Sequence, residues 1–168
     1  MLAVVFLTGL KDASAQWHLQ RVPTNQELRD IYFADSLYGW VAGPGGIFHT
    51  TDGGESWTLQ DSTPANYLAG IDANNCWGLY GLSLVHTTDG GNVWSKSSIN
   101  FDSISRTREI IFVDSLTGWI TSTTNIGYNN WILRTTDGGS SWLPTRLPPY
   151  ALFCSFVNSK AGWVGGDY

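Results

Sequence analysis

Short apolar segments separated by turn-forming residues run along the whole chain, and no window repeats its apolar positions with helical spacing. The first clear unit shows the pattern. Leu28 to Ala34 is an apolar run centred on Ile31-Tyr32-Phe33, which predicts a strand buried on both faces. Asp35-Ser36-Leu37-Tyr38-Gly39 turns the chain, Trp40-Val41-Ala42 predicts a second strand, and Gly43-Pro44-Gly45-Gly46 turns it again. Ile47 to Thr51 predicts a third. Asp52-Gly53-Gly54 then predicts a hairpin whose carboxylate accepts backbone N–H groups ahead of it while the glycines take positive φ. Trp57-Thr58-Leu59-Gln60 alternates apolar and polar, as a half-exposed outer strand should.

The unit recurs. Thr50-Thr51-Asp52-Gly53-Gly54-Glu55-Ser56-Trp57 returns as Thr87-Thr88-Asp89-Gly90-Gly91-Asn92-Val93-Trp94 and as Thr135-Thr136-Asp137-Gly138-Gly139-Ser140-Ser141-Trp142. Trp40 and Trp77 each stand twelve residues before the aspartate of their copy; Thr117-Gly118-Trp119 opens the third copy and Ala161-Gly162-Trp163 a fourth. Four antiparallel strands in every ~40 residues, repeated, predict an all-β chain of β-propeller blades. Blades are expected at approximately 27–62, 67–99 and 107–147, with an orphan outer strand at 16–21 and a partial blade over 152–168.

The Thr-x-Asp-x-Gly-x-x-Trp pattern is the Asp-box, or bacterial neuraminidase repeat, carried here by Asp52, Gly54, Trp57, by Asp89, Gly91, Trp94 and by Asp137, Gly139, Trp142. Together with Phe-x-Asp-Ser-Leu-x-Gly-Trp at 33–40, and the similar 112–119, it makes Trp17 to Tyr168 resemble the photosystem II assembly and stability factor family of propellers and their bacterial relatives. The resemblance implies a ring of about seven blades, so the sequence is expected to be a fragment of a longer reading frame. It also implies a non-enzymatic scaffold that binds a protein partner. Asp-boxes also occur in sialidases and xyloglucan-cleaving propellers, which keeps a glycoside hydrolase, and with it a carbohydrate ligand, as the alternative; an architectural module of a larger secreted or cell-surface protein is a third reading.

Composition narrows the partners. Charged residues are only 14% of the chain and aromatic residues another 14%, which excludes a disordered tail. Nine Lys and Arg against 14 Asp and Glu give −5 with no basic run, which argues against nucleic acid. No apolar stretch reaches the ~20 residues of a membrane-spanning helix. Residues 1–15 carry an apolar run from Leu2 to Leu10 followed by Ala13-Ser14-Ala15, the pattern of a cleavable signal peptide, and predict a mature start at Gln16 and an extracytoplasmic protein, although no basic residue precedes the apolar run. Cys76 and Cys154 fall in non-adjacent repeats and are expected as buried free thiols. No Cys or His spacing suggests a metal, and no cofactor is expected.

Candidate site residues are those that depart from the repeat or line its mouth. Trp119 and Asp137 are eighteen residues apart where the other copies use twelve, which places an insertion around Asn125-Ile126-Gly127-Tyr128-Asn129-Asn130 next to Trp131, a tryptophan out of register. Tyr128, Asn129, Asn130 and Trp131 are either a recognition loop or a length change that a surface loop tolerates cheaply. Arg29-Asp30 and Arg108-Glu109 occupy equivalent positions where the chain enters an innermost strand, either as a polar binding site or as ion pairs that keep the strand mouth solvated. The Asp-box carboxylates read as turn-formers, and His49 and His86, replaced by Arg134 in the third copy, as strand-surface residues. Among arginines 21, 29, 106, 108, 134 and 146, none stands in the Arg-Ile-Pro context of a sialidase. A hydrolase would need two carboxylates across a cleft; Asp30 and Glu109 are the candidates, and the neighbouring arginines are expected to lower both pKa values and oppose a general-acid role.

Overall fold

A computed structural model describes residues 18–101, 106–123, 130–148 and 151–166. Its described residues form strands and no helix. β1 (Asp30–Phe33), β2 (Gly39–Gly43), β3 (Gly46–Thr50) and β4 (Thr58–Asp61) make the first sheet. The second contains β5 (Tyr67–Gly70), β6 (Cys76–Tyr80), β7 (Ser83–Thr87) and β8 (Ser95–Ser98). The third contains β9 (Arg106–Phe112), β10 (Gly118–Thr123), β11 (Asn130–Thr135) and β12 (Leu143–Leu147); β13 (Ala151–Asn158) pairs with β14 (Ala161–Gly166) in a two-stranded sheet. All pairs are antiparallel, and the strands lie in chain order. Neighbouring blades meet through their first strands, β1 on β5, β5 on β9 and β9 on β13. This is a partial β-propeller.

The turn between first and second strands is built the same way four times. Asp35 Oδ1 accepts the N–H groups of Leu37 and Tyr38, Asp72 those of Asn74 and Asn75, Asp114 those of Leu116 and Thr117, and Asn158 those of Lys160 and Ala161. A short side-chain acceptor at this position replaces the backbone bonds a strand loses at a turn. The second strands carry the core: Trp40, Val41, Ala42, Trp77, Leu79 and Ile120 are all completely buried. The first strand is less buried than its apolar run predicts. In β1 Ile31 is exposed and Asp30, Tyr32 and Phe33 are half-buried, because among the described residues this strand is the edge of its sheet, paired with β2 alone and packed against β5.

The Asp-box is a hydrogen-bonded turn centred on the threonine that precedes it. Thr50 Oγ1 accepts the buried N–H of Gly54 at 2.8 Å and donates to Asp52 Oδ1 at 2.7 Å. Thr87 does the same for Gly91 and Asp89 at 2.9 and 2.9 Å, and Thr135 for Gly139 and Asp137 at 2.9 and 2.8 Å. The carboxylate then accepts the N–H four residues on, from Ser56, Val93 or Ser141. Both glycines of each box have positive φ, 73° and 88° in the first, which a Cβ would oppose. The first glycine N–H ties each box to the other turn of its own blade, at Leu37, Asn74 or Leu116 O.

Blades adhere through stacked rings. Trp77 lies between His86 of its own sheet, centroids 4.1 Å apart, and Phe112 of the next, at 3.7 Å. Trp119 stacks on Phe156 of the next sheet at 3.7 Å, with the Arg134 guanidinium 5.9 Å from its ring. Trp40 stacks on His49 at 4.6 Å, but the next sheet has Gly70 at the position of Phe112 and Phe156, and the Tyr32 ring fills the space. Burial of an aromatic ring contributes ~1.5–3 kcal/mol, and a good ring pair ~0.5–1.5 kcal/mol more.

These contacts set three expectations. Phe112→Ala, which empties the space between Trp77 and Trp142, should destabilise the chain by ~3–5 kcal/mol in urea titration. Thr87→Val keeps the shape but leaves the buried Gly91 N–H without its acceptor, and should cost ~1–3 kcal/mol in the same assay. Acid should act in two stages. Burial lowers the His49 and His86 pKa values, so the unfolded chain takes up those protons first and stability falls once the pH drops below about 6.5. Hydrogen bonds from Ser56 and Ser141 hold Asp52 and Asp137 at about 2, so their stabilisation is complete above the ordinary value of 3.8 and is lost as the pH falls through that value towards 2. The double variant His49→Gln, His86→Gln should lose the first stage and keep the second when unfolding is followed against pH.

Candidate functional site

The beginnings of the first strands and the turns between second and third strands share one face, since Asp30 pairs with Ala42 and Arg106 with Thr123 near those turns. The cationic rim lies here. The Arg29 N–H donates to Ala42 O at 2.7 Å and prolongs the ladder, which leaves the side chain exposed at the rim. Its guanidinium donates through Nε and Nη2 to Glu27 Oε1 and through Nη1 to Asn66 Oδ1 at 2.5 Å, on the segment leading into β5. Arg106 and Arg108 are exposed on β9 on either side of Thr107, which is buried and donates its hydroxyl to Gly81 O at 3.0 Å.

The carboxylates beside these arginines face elsewhere. Consecutive side chains on a strand point to opposite sides, so the expected pairing of Arg29 with Asp30 gives way to the ion pair of Arg29 with Glu27. Asp30 Oδ2 accepts the Leu68 N–H of the next blade at 2.7 Å and Oδ1 that of Ile31 at 2.8 Å. Burial raises the Asp30 pKa despite these bonds, which corrects the expectation that an adjacent arginine lowers it. Glu109 repeats the arrangement: its Oε2 accepts the Cys154 N–H at 3.4 Å, and the thiol lies 3.6 Å away. Leu68 and Cys154 occupy the same repeat position on β5 and β13, two residues before Gly70 and Phe156, which pair with Cys76 and Gly162. Asp30 and Glu109 are therefore latches between neighbouring first strands.

Both thiols are free, but only Cys76 is fully buried. Cys154 is half-buried, and burial together with the Glu109 charge pushes its thiol up to about 12. His49 and His86 are committed to their tryptophan stacks, and among the described residues no group of His, Cys, Asp and Glu could hold a metal ion.

Part of the inserted segment takes a different role from the one expected. Tyr128 and Asn129 lie outside the described residues. Asn130 and Trp131 belong to β11, paired with Thr123 and Ser122. Asn130 is buried, and the half-buried Trp131 packs edge-on against Phe101 at 5.0 Å, in the core shared by the second and third blades. Lengthened strands have drawn both side chains inward, so they do not form a surface loop. Sequence reasoning passed over Arg106 and Asn66. The alternation Arg106-Thr107-Arg108 could have placed both arginines on one side of a strand; nothing local marks Asn66, whose role depends on the neighbouring blade.

A concavity of about 990 Å³ lies on the outer side of the first sheet, lined among others by Arg21, Val22, Phe48, Glu55, Trp57 and Leu59. None of the rim residues lines it.

Comparison with known proteins agrees with this architecture. A YCF48 bound to D1 peptide is 28% identical, with a TM-score of 0.59 over 73% of this chain and 41% of that one. YCF48 from Cyanidioschyzon merolae is 22% identical, with a TM-score of 0.59 over 74% of this chain and 38% of that one. This chain thus spans about two fifths of the length of either structure. An ancestral GH74 enzyme shares the fold at 18% identity, with a TM-score of 0.60 over 75% of this chain and 19% of that one. No curated protein matches significantly. The family model described as photosynthesis system II assembly factor YCF48 matches residues 10–102, more than half of the sequence, and the chain belongs to that family.

Proposed function

We propose that this chain is the peptide-binding part of a non-enzymatic assembly scaffold, and that the rim carrying Arg29, Arg106 and Arg108 receives an extended segment of a protein partner. The observation that carries the reading is the similarity to a YCF48 bound to D1 peptide. The rim supplies suitable chemistry. Arg106 and Arg108 are exposed with donors in a planar fork, the neighbouring Glu109 is turned to a backbone N–H instead of neutralising them, and Arg29 is held at the same rim by Glu27 and Asn66. An acidic or carbonyl-rich segment would meet donors there, and electrostatic attraction would hasten its arrival.

The same two latches speak against glycoside hydrolysis by this chain. A general acid and its partner must face a sugar across a cleft, whereas Asp30 and Glu109 are engaged by the next blade. Export belongs to the same proposal, on the strength of Ala13-Ser14-Ala15 after an apolar run.

Fluorescence anisotropy with labelled D1 peptide tests the reading. The chain should bind it saturably, and the Arg29→Ala, Arg108→Ala double variant should bind about tenfold more weakly, the loss of roughly 1.4 kcal/mol. Raising the salt concentration should weaken the parent more than the variant. Equal affinity of parent and double variant would remove the rim from the site. In parallel assays, turnover of a β-glucan or sialoside that disappears in Glu109→Gln would replace the scaffold reading with an enzymatic one. Protein isolated from its native host should begin at Gln16 by mass spectrometry, and an intact N-terminal segment would contradict export.

A further inference from the structure

The turn between second and third strands differs in kind between the first two blades. Tyr80-Gly81-Leu82-Ser83 matches Gly43-Pro44-Gly45-Gly46, since Tyr80 pairs with Ser83 as Gly43 pairs with Gly46. The first blade closes this turn with no side chain but that of proline. The second places a phenol ring and an isobutyl group there, 45% and 37% accessible. Turns favour Gly, Pro, Asn, Asp and Ser, and the first blade folds without an apolar side chain at either place, so the repeat itself does not call for Tyr80 or Leu82. Nor is a neighbour lacking: the first strand of this blade, β5, packs against β1 on one side and β9 on the other.

The backbone of the turn is fixed by three bonds. Leu79 O accepts the Asn66 N–H at 2.8 Å, Gly81 O the Thr107 hydroxyl at 3.0 Å, and Leu82 O the Ile99 N–H at 2.8 Å. Two of these bonds also place the turn within the rim. Asn66 is the residue whose side chain holds Arg29, and Thr107 stands between Arg106 and Arg108. The turn therefore lies between the arginine of the first blade and those of the third. Residues 79–83 carry no charge, so the rim is apolar in its middle and bears arginines on its flanks.

We infer, on the reading that the rim receives a partner segment, that Tyr80 and Leu82 form its apolar subsite and that the segment carries an apolar side chain beside its carboxylate. Arginines alone select little, because a guanidinium accepts a carboxylate whatever stands next to it. An apolar side chain laid against this turn removes its own surface and that of Tyr80 and Leu82 from water, which favours Leu, Ile, Val or Phe over Ser or Gly at that place. The carbonyls of the turn are already engaged within the fold, so little of its backbone has to be ordered when the segment arrives. Charge complementarity with Arg106 and Arg108 brings the segment to the rim, and the turn between the arginines decides which acidic segment stays.

Competition against labelled D1 peptide on the full chain, read by anisotropy, is the test. Two unlabelled peptides with blocked ends are compared, Gly-Leu-Asp-Leu-Gly and Gly-Ser-Asp-Ser-Gly. On the parent chain the leucine peptide should displace the label at about fivefold lower concentration than the serine peptide. The Tyr80→Ala, Leu82→Ala double variant should erase that preference, whereas Arg108→Ala should weaken both peptides and leave it in place. Added salt should weaken both peptides alike, because the preference is apolar. Equal competition by the two peptides on the parent, or a preference that survives the double replacement, overturns the proposal. Should the double variant fail to fold, Leu82→Gly, which installs the first blade's residue, should narrow the preference at least about twofold, and an unchanged preference overturns the proposal instead. A parent chain that binds no D1 peptide would overturn both the subsite and the reading of the rim; D1 peptide binding that falls in the Arg29→Ala, Arg108→Ala variant, without any preference for leucine, would overturn the subsite alone.

Discussion

A four-stranded antiparallel sheet of some twenty residues has two broad faces and too little interior to hide either, so a blade depends on the next blade for its core. In this chain the dependence is concentrated in one ring stack per junction. Trp77 is covered on one side by His86 from its own sheet and on the other by Phe112 from the next, and Trp119 stands in the same way between Arg134 and Phe156. The first junction solves the problem differently. Gly70 replaces the incoming phenylalanine, and a Cβ there would lie 2.1 Å from the Tyr32 ring that occupies the space. Ring for ring, the volume is conserved while its source moves from the next blade to the same one.

Stacking alone would let blades slide, and polar contacts between them oppose this. Gln20, which lies in no strand, donates through Nε2 to Gly53 O and packs over Gly54, and Gln60 on β4 packs over Gly91, so a glutamine rests on the box of the following blade in both places. Trp77 Nε1 reaches Gly138 O at 3.0 Å. At the inner end Asp30 and Glu109 hold the next first strand by its backbone. The box is thus more than a hairpin turn: it is the surface on which its neighbour is seated, which fits the recurrence of the threonines, the aspartate and both glycines while the two positions after the second glycine vary, Glu, Asn or Ser at the first and Ser or Val at the second.

How much of this was legible in the sequence depended on the range of each interaction. The Asp-box, the turn at Asp35 and the alternation of apolar segments involve residues within a few positions of one another, and the all-β propeller could be read from their repetition. Contacts between blades left weaker marks. Nothing near Asp30 announces that its carboxylate serves Leu68, thirty-eight residues away, and a reading from adjacent residues attached it to Arg29. Trp131 looked like a surface aromatic because it broke the repeat; longer strands carried it into the core against Phe101. The threonine of the box is a case between the two. It stood in the recurring motif, but its hydroxyl's grip on the buried glycine N–H became apparent only in three dimensions.

The division of labour among charged groups on the inner strands bears on what such a rim can recognise. Had Arg108 been paired with the carboxylate next to it, as Arg29 is with Glu27, it too would present a neutral, solvated pair to a ligand. Instead Asp30 and Glu109 serve the junctions, where a backbone N–H compensates part of their burial, while Arg29 takes Glu27 as its partner and Arg108 stays exposed at the register shift of β9. Arg29 is not loose, because Glu27 and Asn66 fix the plane of its guanidinium. A cation held in this way loses less conformational freedom on meeting a partner than a free side chain would. The positive charge of the rim thus comes from Arg106 and Arg108, while Arg29 presents a fixed ion pair, on a chain of net charge −5.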